Sequence, residues 1–223
     1  MTAQVSSSAD LIRLIGSQAD IMRSICVFNE NPADYIDESR RAEFFPAAMD
    51  RAVWRCARSR RHMSRHILER VGAAPCLEVR RPEWPLVLLD APRLQRVARH
   101  VAAALMGSRV RRSVSRGDVL RWREWLSPEA HEFALTRAGL LPFTATVHCD
   151  VDQTAAHELG LAWIASATAC WPAALARRFM LKLPAGTENN ASAVDGTFAW
   201  RVVSSVLPIA EARWCSSFAN TRN

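Results

Sequence analysis

The sequence predicts an all-α protein, an irregular bundle of roughly seven to nine helices with at most one short strand. Three observations carry that prediction. Apolar residues recur at three- and four-residue spacing through most of the chain, the period of a helix with one buried face. Helix starts are spelled out repeatedly, as in Asp90 with Pro92 and in Ser127-Pro128-Glu129. Only residues 143–147 (FTATV) read as a strand, and one isolated strand makes no sheet.

Asp10 is placed to cap a first helix in which Leu11, Leu14, Ile15, Met22 and Ile25 share a face. Asn29-Glu30-Asn31-Pro32 breaks it, and an acidic piece, 34–38, leads to Phe44-Phe45-Pro46. From Pro46 one long helix is predicted to Val71, with Gly72 as its stop. Met49, Val53, Cys56, Met63, Ile67 and Val71 give it a thin apolar stripe. Arginines 51, 55, 58, 60, 61, 65 and 70 occupy the rest. Residues 73–89 hold Pro75, Pro82 and Pro85 without any period, so they read as a linker or an extended crossing segment. The expected organisation is an N-terminal helical portion (1–72), that segment (73–89) and a helical core (90–223).

Asp90 caps the next helix, with Leu94, Val97, Ala98, Val101 and Leu105 inward and Gly107 closing it. Residues 109–116 form a basic connection, and Asp118 caps a short helix with Val119, Trp122 and Leu126 inward. Ser127-Pro128-Glu129 opens a helix carrying Phe133, Ala134, Arg137, Leu140 and Leu141, stopped by Pro142. Asp152 is placed to cap the helix that contains Trp163. After a polar stretch, 186–192, a last helix at 196–218 sets Phe198, Val202, Val206 and Leu207 on one side, with Pro208 kinking it.

Residues 159–176 carry no charge and match the ~18-residue length of a membrane span. Alanines, Gly160, Ser166, Thr168 and Pro172 make the run only modestly apolar, and Pro172 cuts it in two. Two short buried helices meeting in an elbow near Trp171 are expected. Basic residues follow at Arg177-Arg178.

Composition is that of a globular chain: 49% hydrophobic and 23% charged, with a net charge of +7. Lys182 is the single lysine among 29 basic residues, a bias that codon composition explains as well as function does. Between Arg40 and Trp125 there are 20 Arg against 8 Asp and Glu, so the positive charge is concentrated in the middle of the chain. Either an acidic partner (protein, nucleic acid or anionic lipid) meets that region, or its arginines simply solvate outer helix faces. The six cysteines contain no CxxC and several sit among apolar neighbours, which reads as reduced, mostly buried thiols of a cytoplasmic protein. The opening MTAQVSSSADLIRLIG lacks the basic start and apolar core of a signal peptide.

A family resemblance rests on two patches. Gly160-Leu161-Ala162-Trp163 opens an apolar helix that leads to Arg178-Phe179-Met180-Leu181-Lys182-Leu183-Pro184. Leu88-Leu89-Asp90-Ala91-Pro92 precedes a helix with Gly107 and then Arg111-Arg112-Ser113-Val114. Together they resemble the SctK family (YscK-like, with the HrpD-type members), accessory cytoplasmic components of type III secretion systems. The resemblance implies a non-catalytic adaptor of the injectisome's sorting platform. It would link an SctD-like inner-membrane ring protein to an SctQ-like pod protein, and through that to an SctL-like stator and the ATPase. It also implies a cytoplasmic location at the inner membrane, held by protein contacts. Residues 1–70 fall outside the resemblance.

Chemistry is otherwise sparse, and no enzyme, cofactor or small-molecule substrate is expected. GxxxxGK[ST], GxGxxG after a strand, GxSxG and HExxH are all missing. His62 and His66 share a helix face but have no third ligand near, and four neighbouring arginines repel a cation. The tract His148-Cys149-Asp150-Val151-Asp152, with His157-Glu158, could ligate an ion or share a proton. Helix capping accounts for the same residues. Two surfaces are left as candidates. Arg121, Trp122 and Trp125, with Arg111 and Arg112, combine the residue types enriched at protein interfaces, although plain packing also explains the tryptophans. Arg51, Arg55, Arg58, Arg61 and Arg65 would face an acidic partner. The competing functions are a nucleic-acid-binding regulator that uses 51–65, and an exported effector, whose signals the Ser-rich start resembles.

Overall fold

Twelve α-helices and five 3₁₀ turns make up every regular element among the described residues, and no strand occurs there. The structure, a computed structural model, describes residues 8–46, 49, 51–143, 154–190 and 194–219, with side chains from residue 19 onward. The helices are α1 (Ser8–Glu30), α2 (Arg41–Phe44), α3 (Arg51–Arg55), α4 (Ala57–Val71), α5 (Trp84–Val87) and α6 (Ala91–Arg112). They continue with α7 (Arg116–Leu126), α8 (Pro128–Thr136), α9 (Ala156–Ala167), α10 (Ala173–Met180), α11 (Gly196–Ala210) and α12 (Ala212–Ala219). The fold class is all-α as expected, and the number of helices exceeds the seven to nine foreseen.

The excess has local causes. The long helix foreseen over 46–71 is broken at Cys56, whose extended backbone (ψ 118°) ends α3 and starts α4. The last helix is broken at Glu211, three residues after Pro208. Conversely, α6 runs straight through Gly107, because that glycine marks a helix crossing rather than a stop. A Cβ there would lie 3.0 Å from Ala138 Cβ and 3.1 Å from an Arg111 guanidinium nitrogen. Two caps also move. Ser115, not Asp118, caps α7, its hydroxyl accepting from the Asp118 N–H. Ala155 stands at the start of α9, where the Glu158 carboxylate accepts from the Ala155 N–H. Asp10 lies inside α1. Met22 and Val119, placed inward by spacing, are exposed, and so is Leu140, which lies in the 3₁₀ turn after α8 rather than on that helix. The strand expected at 143–147 and the ligand-type tract at 148–152 lie outside the described residues, apart from Phe143.

The core is organised around α6, whose Val97, Ala98, Val101, Ala102, Ala103, Leu105 and Met106 are buried. α9 crosses it with backbone against backbone. A Cβ on Gly160 would stand 1.9 Å from the Ala98 carbonyl oxygen, closer than two non-bonded heavy atoms can approach. α11 covers the pair through Ala199, Val202, Val203 and Val206. Ile21, Ile25 and Phe28 of α1 and Trp84, Leu86, Val87 and Leu89 belong to this same core. A smaller cluster joins Met63 and Ile67 of α4 to Ala33, Ile36 and Leu181. The apolar run at 159–176 folds as foreseen: α9 ends at Ala167, a 3₁₀ turn follows, and Pro172 opens α10. No described helix is long and apolar enough to cross a membrane.

Candidate functional site

The two surfaces singled out by sequence lie on different parts of the bundle. On α7, Trp122 is buried, and its indole N–H donates to the Ser113 hydroxyl at 2.9 Å. The Arg109 guanidinium covers its ring at 5.6 Å. Trp125 sits edge-on to Trp122, with ring centroids 5.6 Å apart, and donates to the Thr154 carbonyl at 2.7 Å. Helical spacing dictates this pair, since residues three apart share a face. Trp125 stays half-buried because its other edge forms the wall of an open groove of about 990 Å³. Leu120, Arg123, Pro128, Arg99 and Ala156 line the remainder of that groove.

The other predicted members of this surface go elsewhere. Arg111 donates to the Ala134 carbonyl at 2.9 Å and fills the space beside Gly107 and Gly139, so it holds α6 against α8. Arg112 and Arg121 are exposed, the latter next to the Trp pair on α7. An exposed Leu120 (54%), which the sequence reading passed over, completes the groove's apolar part. Its signal was available: Leu120 and Trp122 alternate on a short helix, so one of the two must face outward.

The arginine-rich surface is split between α3 and α4. Arg51 approaches Glu38 at 3.9 Å, and Arg60 forms a 2.9 Å ion pair with Asp34 that keeps it on the packed side. Arg55, Arg58, Arg61 and Arg65 are exposed with no ion-pair partner among the described residues. His62 and His66 are exposed on the same helix. No group of three or more His, Cys, Asp or Glu side chains that could hold a metal occurs among the described residues. The five described cysteines are free, and none is buried, contrary to the sequence expectation; Cys56 and Cys170 are exposed.

The segment 178–184, part of the family resemblance in the sequence, binds the chain together. Arg178 is 2% exposed and donates to the carbonyls of Asn29 and Ala73, both at 2.6 Å. No carboxylate among the described residues pairs with it. Burial lowers its pKa, against the opposing influence of Tyr35 and Cys76. Lys182 reaches the carbonyls of Val87, at 2.7 Å, and Leu89, at the end of α5, with the rings of Phe28 and Tyr35 beneath it at 5.9 and 5.6 Å. Arg40, also buried, closes the clasp from the other side through the Leu183 carbonyl (2.7 Å) and Glu188 (2.5 Å). The Asp37 N–H donates to the Leu181 carbonyl at 2.8 Å. Three cations thus serve as ties for backbone carbonyls.

Desolvation pushes the Lys182 pKa down from 10.5 to about 8, with Asp90 partly offsetting it. The protonated ammonium is therefore held less tightly folded than unfolded. Its contribution to stability is complete above about 10.5 and falls away as the pH drops toward about 8. Because it is the chain's single lysine, 13C-lysine labelling gives one Cε resonance. That resonance is expected to titrate near pH 8 in the folded protein. A midpoint at the ordinary lysine value would show that the two carbonyls and two rings compensate burial in full.

Compared with known families, residues 25–215 match the model described as YOP proteins translocation protein K (YscK). No curated protein and no solved structure matches the chain. The matched region runs from the end of α1 into α12, so it takes in residues 25–70, which the resemblance read from sequence had left outside, and it includes the Trp125 groove and the clasp.

Proposed function

This chain belongs to the YscK family, which makes it a component of type III secretion, and from that premise we propose that it acts as a non-catalytic adaptor. In this reading it joins an SctD-like inner-membrane ring protein to an SctQ-like pod protein, and through the pod to an SctL-like stator. It would be held at the cytoplasmic face of the inner membrane by protein contacts alone. The observation that carries the reading is the match over 25–215 combined with an open groove around Trp125. Tryptophan in a partly apolar groove with arginine at its rim is the composition of protein-interface hot spots. The nucleic-acid reading is supported less. It needs one continuous basic helix at 51–65, and that helix is interrupted at Cys56.

The test is co-elution of the full chain with the pod protein of the same strain, at moderate and at high salt. A shared peak at both salts is expected. Trp125→Ala should weaken the complex by about 2 kcal/mol or more, roughly 30-fold, if Trp125 is the anchor. Because Trp125 also tethers Thr154, Leu120→Glu serves as a second variant that touches only the groove. Failure to co-elute at either salt removes the pod-binding half of the proposal.

A further inference from the structure

We propose that a second groove, between α4 and the strap at 75–77, takes an acidic amphipathic segment of a partner polypeptide. The inference rests on the adaptor reading only for where that partner is sought. The groove measures about 480 Å³ and lies far along the chain from Trp125. Arg61 and Arg65 form one rim, one helical turn apart on α4. Leu68 continues the same side of the helix, and Leu77 and Pro75 form the opposite wall. Leu77 is 54% exposed, although nothing in the chain's own fold requires a leucine there to face solvent.

Charge complementarity identifies the occupant. Arg61 and Arg65 have no ion-pair partner among the described residues, and Arg58 extends the same basic stripe. Arg178, which also lines the groove, carries a buried positive charge that hydrogen-bonds to carbonyls and to no carboxylate among the described residues, and its buried Nε has no hydrogen-bond partner there. A buried cation without an anion is a costly arrangement, and an approaching carboxylate relieves it. One acidic side chain, Glu30, lines the groove and forms no ion pair there. The apolar wall separates a protein segment from nucleic acid. A phosphate ladder would use the arginines and leave Leu68 and Leu77 wet. A helix with carboxylates at one turn's spacing and a leucine-type anchor between them uses both.

The experiment is a panel of overlapping peptides spanning the ring protein's cytoplasmic domain and the pod protein of the same strain, titrated against the full-length chain. Bound peptides are expected to be acidic with an apolar anchor, and to lose binding when their Glu residues become Gln. Arg61→Ser and Arg65→Ser should each weaken them about tenfold or more. Leu77→Ser should weaken them as well, and Trp125→Ala should leave them unchanged. The arginine variants remove exposed side chains that hold nothing in the fold, so unchanged melting is expected alongside. Absence of any bound acidic peptide, or binding indifferent to Arg61 and Arg65, overturns the proposal. So does a duplex DNA that outcompetes the peptides and depends on the same arginines. Peptide binding without pod co-elution would remove the pod-binding half of the adaptor reading and leave this site standing. Co-elution without peptide binding would do the reverse.

Discussion

Gly160→Ala is expected to destabilise the fold by about 3 kcal/mol or more, a large part of what a domain of this size possesses. On propensity alone the change should help, since alanine is better than glycine inside a helix by about 1 kcal/mol. Geometry reverses the sign. The new methyl group would stand 1.9 Å from the Ala98 oxygen and 2.4 Å from its carbonyl carbon, and both are backbone atoms in the middle of α6. Neither can rotate away, so α9 would have to lift off α6. That would loosen Leu161, Ile164 and Ala165, all buried in the same interface. Gly117→Ala in α7 is the internal control, because its Cβ would meet nothing nearer than the Ser115 hydroxyl at 3.9 Å. It should be neutral or stabilising by a few tenths to about 1 kcal/mol. Urea midpoints of the two variants, measured together, check both signs. Equal midpoints would mean that the two helices are not in backbone contact.

Arg178→Met should cost about 2–3 kcal/mol, and the loss should be spatially uneven. Two opposing effects are at work. Methionine removes a buried charge that no carboxylate compensates, which is favourable. It also strands the carbonyls of Asn29 and Ala73 in the interior, at roughly 1–3 kcal/mol for each orphaned group. The second effect outweighs the first because both bonds are short, charge-assisted and span more than a hundred residues of chain. Hydrogen exchange should therefore quicken first in 29–36 and 73–79, which this side chain fastens. The α6–α9 core should change little. Uniform acceleration across the chain would contradict the clasp.

Much of the helix pattern was legible in the sequence, and the reasons it stopped being legible are physical. Pro172 announced the elbow between α9 and α10, because a missing N–H is a local fact. Ser127-Pro128 announced α8 in the same way. Gly107 misled, since a glycine that permits close helix contact and one that ends a helix look alike until the neighbour, Ala138, is in place. The break at Cys56 has no Gly or Pro beside it. Trp122 was placed inward correctly from spacing, and the groove beside Trp125 was not visible because Ala156 joins it from another helix. Arg178 looked like the basic flank of an apolar run, and Lys182 like one letter of the family patch. Their partners, at Asn29, Ala73, Val87 and Leu89, lie between 93 and 149 residues away in sequence.

The elbow at Pro172 has a mechanical consequence. The start of α9, through Ala155, Ala156 and His157, forms part of the Trp125 groove, and the far end of α10 supplies Arg178 to the second groove. A pull between occupants of the two grooves would travel along α9, about 18 Å, and α10, about 12 Å. At the joint, Pro172 contributes no backbone donor, and the turn before it ends in the single Trp171 N–H to Thr168 bond at 3.0 Å. Resistance to bending there comes from the rings around the joint: Trp171 lies 5.1 Å from Phe179 and 5.4 Å from Trp200. The joint between α9 and α10 is thus stiffened by the aromatic side chains packed around Trp171.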